Sequence, residues 1–79
     1  MEERELTFGE RLVGLTFNPS GDVNVQKAKE LCAELADLLR DNLNLPPGNN
    51  SIKLPLYKHA VNEILNAQMN VVKVLTFKE

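Results

Sequence analysis

The sequence lacks most of what small domains use to reinforce a weak core. It holds one cysteine, Cys32, so no disulfide can form within the chain. Its one histidine, His59, has no second ligand at a metal-binding spacing. Tryptophan is absent, and the aromatic residues are three Phe and one Tyr. No apolar run approaches the roughly 18–20 residues that a membrane span needs. Nor is there an excess of positive charge: nine Lys/Arg stand against eleven Asp/Glu, a net of −2. A duplex nucleic-acid binder needs a basic face to displace counterions, so that class is disfavoured. The opening Glu2-Glu3-Arg4-Glu5 is the reverse of a basic signal-peptide start and predicts a soluble, intracellular protein. A glycine-rich phosphate loop, a Cys-x-x-Cys pair and a His–Glu metal spacing are all missing. Neither catalysis nor a cofactor or metal is expected.

What is present describes a globular chain, 43% apolar and 25% charged. Its 79 residues make one domain, and a chain of this size buries only about 60% of its unfolded surface. With no disulfide or metal to help, self-association is expected to supply the remaining stability. Charge is uneven along the chain. Residues 1–10 carry four acids and Arg4, whereas 51–79 carry Lys53, Lys58, Lys73 and Lys78 against Glu63 and Glu79. The C-terminal part can therefore meet a small anion without making the protein basic.

The hydrophobic pattern predicts an all-α fold: a short N-terminal helix over 6–17, then a long antiparallel helical hairpin. Over 23–43, Val25, Ala28, Leu31, Cys32, Leu35, Ala36, Leu38 and Leu39 recur at steps of three and four and form one apolar face. Lys27, Lys29, Glu30, Glu34, Asp37, Arg40 and Asp41 fall between them, toward solvent. The second long helix spans 53–77, with Pro55 in its first turn, where a missing N–H costs nothing. Tyr57, Val61, Ile64, Gln68, Val71 or Val72, and Leu75 make its stripe, which Leu65, Met69, Val72 and Val74 widen beyond what one partner helix covers. Such surplus apolar surface suits an oligomer contact. Residues 1–5 form a tail, 18–22 a turn, and 44–52 a Pro- and Gly-containing loop. Ser20, Asp22 and Asn24 are candidate caps for the second helix.

Few residues offer chemistry. Cys32 lies on the apolar face and reads as an inert core cysteine, and His59 as a solvated one beside Lys58. Asn18-Pro19-Ser20 is voided as a glycosylation site by its proline. The turn from Phe17 to Gly21 is richer, although a plain helix–helix connection also explains it. Phe8 and Phe17 offer aromatic faces, Arg11 and Lys27 cationic donors, and Asn18 and Ser20 neutral hydrogen bonds. Beside a helix N-terminus, this set suits a ligand combining bases with phosphates.

The stretch Thr7-Phe8-Gly9-Glu10-Arg11-Leu12-Val13-Gly14-Leu15-Thr16-Phe17-Asn18-Pro19-Ser20-Gly21 is followed by Val25-x-Lys27 and Ala33-Glu34-Leu35-Ala36-Asp37. Near the C-terminus comes Ala67-Gln68-Met69-x-x-Val72-Lys73-x-x-Thr76. Together these resemble the phage hairpin-domain family of anti-CBASS and anti-Thoeris nucleotide sponges, across residues 7–41 and 56–77. Asn70 departs from the pattern, standing where many relatives carry an aromatic ring. The resemblance implies a non-catalytic homo-oligomer, a hexamer by analogy, working in the host bacterial cytoplasm. It would sequester cyclic dinucleotides, extending to cyclic trinucleotides, and so keep CBASS effectors inactive. It also implies a ligand set of Phe8, Gly9, Arg11, Phe17, Asn18, Pro19, Ser20 and Lys27, with Lys73 and Thr76 from a neighbouring helix. Capture of cyclic ADP-ribose isomers is the alternative within the family. A helical adaptor with no small ligand is the alternative outside it.

Overall fold

A computed structural model describes residues 5–45, 48 and 51–78. The expected tail residues 1–4, loop residues 46, 47, 49 and 50, and residue 79 lie outside the described residues. The described residues form three α-helices and no strand: α1, Phe8–Val13; α2, Val23–Asp41; and α3, Lys53–Thr76. The expected all-α class holds, and α3 stays helical to Thr76.

α1 is shorter than the expected 6–17 because strong signals stop it at both ends. At its start, Thr7 Oγ1 accepts from the Glu10 amide at 3.1 Å, and the Thr7 amide donates to Glu10 Oε1 at 2.9 Å. This reciprocal capping box satisfies two of the donors that a helix start leaves open. At its end, Gly14 adopts the left-handed region at φ +64°, and the Leu15 amide closes back on the Glu10 carbonyl at 3.0 Å. A helix of six residues has no stability of its own. α1 persists because α2 holds it.

Two contacts fasten it. Asp37, on α2, accepts from the Gly9 amide at 2.7 Å and from Thr7 Oγ1 at 2.6 Å, placing a carboxylate at the positive end of α1. Beneath that pair the helices cross so closely that a Cβ on Gly9 would stand 2.0 Å from the Ala33 carbonyl oxygen. Asp37 is therefore half-buried and committed to α1, not the free solvent carboxylate that its spacing suggests.

The buried apolar set is Val13, Val25, Ala28, Ala33, Ala36 and Ile64, with Ala36 fully enclosed. This corrects the expected packing of α2. Its alanines face α1 and α3, while Leu31, Leu35 and Leu38 are 53%, 49% and 58% exposed. The close crossing at Gly9 admits only small side chains, so the leucines are displaced to the edge of the apolar arc. Cys32, expected in the core, is half-buried, and desolvation pushes its thiol above the usual range. Lys29, expected in solvent, is buried among the alanines. His59 is exposed, as expected.

α2 packs against both α1 and α3, which touch each other little. The first residues of α2 and the last turns of α3 share one recess, and the opposite ends of the two helices share another.

Candidate functional site

The turn after α1 is built by its own side chains. Asn18 Nδ2 donates to the Asp22 carbonyl at 3.1 Å and to Gln26 Oε1 at 3.4 Å. Ser20 Oγ donates to Asn18 Oδ1 at 2.9 Å and accepts from the Asp22 amide at 3.2 Å. Asp22 then caps α2, its Oδ1 accepting from Asn24 at 2.7 Å and from Val25 at 3.4 Å. This corrects the expectation of an anion at that helix N-terminus, because Asp22 already supplies the negative group. Ser20 and Asn24, the other candidate caps, do not fill that role.

Lys29 secures the turn from below. It is 6% exposed, and its Nζ donates to the Gly14 carbonyl at 3.1 Å and to the Phe17 carbonyl. A cation at the C-terminal end of α1 is favourable for the helix dipole as well as for these carbonyls. The same ammonium lies 5.5 Å from the centre of the Phe17 ring. Phe17 is nevertheless 71% exposed, so its ring is presented to solvent and not plugged into the core.

Phe17, Asn18, Pro19 and Ser20 form the rim of a recess of about 640 Å³. Val13, Val25, Met69 and Val72 supply apolar walls, and Lys29, Gln68 and Thr76 the remaining polar groups. Thr76 Oγ1 also donates to the Val72 carbonyl at 2.8 Å. Gln68 is 6% exposed, and its carboxamide makes no hydrogen bond to the protein. Neither of its polar atoms is sealed from solvent without a partner, so they open on the recess.

The other expected ligand residues lie elsewhere. Phe8 and Arg11 share a smaller hollow of about 280 Å³ with Thr7, Asp37, Arg40 and Asp41. There the Phe8 ring stacks on Tyr57 at 6.5 Å between centroids, and the Arg40 guanidinium sits 4.8 Å from its centre. Its aromatic surface is largely engaged within the protein. Lys73 lies with Asn70, Val74 and Phe77 on the outer side of the last turns of α3. Lys27 is exposed and lines none of these hollows. Gly9 is buried at the helix crossing, with its amide taken by Asp37. One protomer thus gathers Phe17, Asn18, Pro19, Ser20 and Thr76, but not Phe8, Gly9, Arg11, Lys27 or Lys73.

Lys29 and Gln68 were missed as site residues although their spacing carried the signal. Lys29 is four residues from both Val25 and Ala33, and Gln68 is four from Ile64. Each is a polar residue at a core register, which is where a buried functional group is sought. No protein-family model, curated protein or solved structure matches the chain.

Proposed function

We propose that this chain is a phage anti-defence protein that binds cyclic oligonucleotide second messengers and withholds them from CBASS effectors without cleaving them. Two long helices form an antiparallel hairpin, and copies of the chain assemble as a homo-oligomer, a hexamer in this reading, in the host cytoplasm. The exposed Phe17 ring at the mouth of the recess is the observation that carries the proposal. A recess of about 640 Å³ falls among small-ligand sites, which run to about 300–1,000 Å³ with apolar walls and a few placed polar groups. In its described lining Lys29, Asn18, Ser20 and Thr76 are already hydrogen-bonded within the protein, which suits holding a ligand in place.

Assembly would bring the scattered groups to one ligand. Arg11, Lys27 and Lys73 do not line this recess, but a neighbouring protomer can present its own copies to a ligand that is itself nearly two-fold. Stacking contributes about 1–3 kcal/mol per base. Two such stacks plus charge-assisted phosphate contacts suit nanomolar affinity, about −12 kcal/mol.

Calorimetry against cyclic dinucleotides, cyclic trinucleotides and cyclic ADP-ribose isomers tests the proposal. Tight binding of a cyclic oligonucleotide, recovered intact after denaturation, is expected, and Phe17→Ala should weaken it about 5- to 150-fold with the assembly intact. Preference for cyclic ADP-ribose isomers would move the function to Thoeris signalling. Binding of none would remove the sponge function.

The row Leu31, Leu35 and Leu38 favours a second reading, a helical adaptor whose leucines meet a partner helix. Under self-assembly the same row is the protomer contact. Replacing all three with serine should then reduce the assembly to the 8.9 kDa monomer in sedimentation. A wild-type protein that sediments as a monomer favours the adaptor.

A further inference from the structure

Among the described residues lining the recess, Gln68 is the one polar side chain that bonds nothing in the protein. Its neighbours are committed: Lys29 to the Gly14 and Phe17 carbonyls, Asn18 and Ser20 to each other, and Thr76 to its own helix. Gln68 instead sits in the core register of α3, four residues after buried Ile64, nine-tenths enclosed and without a hydrogen bond. Its polar atoms reach the recess but bond nothing in the protein, and an apolar residue of similar size would fit the same walls. The fold therefore does not explain glutamine here.

We propose that the Gln68 carboxamide reads the edge of a heteroaromatic base, and that the base is adenine. This deepens the proposed function and rests on it. A carboxamide presents one donor and one acceptor side by side in a plane. Adenine offers the complement, an amino donor beside a ring-nitrogen acceptor, and the amide pairs with it through two hydrogen bonds. The surroundings suit such a guest. Phe17 supplies a ring face at the rim, and Val13, Val25, Met69 and Val72 supply walls that a flat base can cover. A guanine brings two acceptors on the edge carrying its ring nitrogen N7, so one of them meets the amide oxygen and is disfavoured.

Gln68→Met keeps the length and helix preference of the side chain but removes both hydrogen-bonding groups, and Gln68→Glu keeps the shape but removes the donor. Each is compared with wild type by calorimetry against cyclic di-AMP, cyclic di-GMP and a cyclic dinucleotide carrying purine bases without the 6-amino group. Wild type should prefer cyclic di-AMP. Gln68→Met should lose about 10- to 100-fold toward it, as expected for two neutral hydrogen bonds. It should also bind cyclic di-AMP and the analogue lacking the amino group alike. The free Gln68→Met protein should melt no lower than wild type, because the carboxamide bonds nothing in the protein; a residue with only a structural role would melt lower. Wild type that binds cyclic di-AMP no better than Gln68→Met, or a Gln68→Met protein that melts lower, overturns the assignment to Gln68 and leaves the sponge function standing. Preference for cyclic di-GMP overturns adenine. Wild type that binds no nucleotide overturns both proposals together.

Discussion

Gly9→Ala should lower the melting temperature more than any other single-methyl change in the protein. The added Cβ would lie 2.0 Å from the Ala33 carbonyl oxygen, 2.8 Å from the carbonyl carbon and 3.0 Å from the Cα. All three belong to the backbone of α2, so no side chain can rotate out of the way. α1 must lift away, and lifting it stretches the 2.7 Å bond from the Gly9 amide to Asp37. We expect a loss of about 3 kcal/mol, at the upper end of the usual cost of overpacking. In a domain of this size that is a fall of about 12–24 °C in Tm, read by circular dichroism. Gly21→Ala is the control. Gly21 has φ +65°, but a Cβ there meets nothing within 4 Å, so only backbone strain of about 1–2 kcal/mol remains. Equal losses in the two variants would mean that the Gly9–Ala33 crossing is not tight.

Lys29→Met should be the second most damaging change, and its effect should be local in origin. Methionine fills much the same space among Val25, Ala28 and Ala33, so packing is largely kept. What goes is the ammonium that bonds the carbonyls of Gly14 and Phe17. Hydrogen bonds to a charged group contribute about 1.5–3 kcal/mol each, offset in part by no longer burying a charge. A net loss of about 2 kcal/mol follows, or about 8–16 °C in Tm. Hydrogen exchange gives the sharper test. The Phe17 and Gly21 amides, which close the turn on the Gly14 and Asn18 carbonyls at 2.9 and 3.1 Å, should exchange faster. Amides in the middle of α3 should change only as global stability does. Uniform acceleration across the chain would show that Lys29 acts as general core and not as a clamp on the turn.

These two residues also mark where sequence patterns stop being informative. Some helix ends were legible, because ends are set by local chemistry: Asp22 stood among the candidate caps of α2, and Pro55 is tolerated in the first turn of α3, whereas Gly14, inside the expected 6–17 helix, ends α1 instead. Which part of a wide apolar arc faces inward was not. Period alone put Leu31, Leu35 and Ala36 on one face, yet how closely the helices approach decides which of them is buried. That approach depends on Gly9, distant in sequence from the residues it displaces. The recess followed the same division. Phe17 to Ser20 were found as a turn rich in usable groups, whereas Phe8 and Arg11 fell on another side because α1 ends at Val13 and does not carry them toward the turn. Lys29 and Gln68 were not read as site residues because a charge between apolar positions is usually taken to face solvent, and a lone amide within a stripe to be part of its packing.

α2 grips the first segment by its main chain. Asp37 holds an amide at one end and Lys29 holds carbonyls at the other, so both anchors would serve any side chains carried on the backbone between them. Arg11 and Thr16 project from that held stretch and are exposed. Their identities can change without loosening the anchors. A lineage pressed to alter what this edge of the protein meets could rewrite those positions freely, leaving the scaffold underneath untouched.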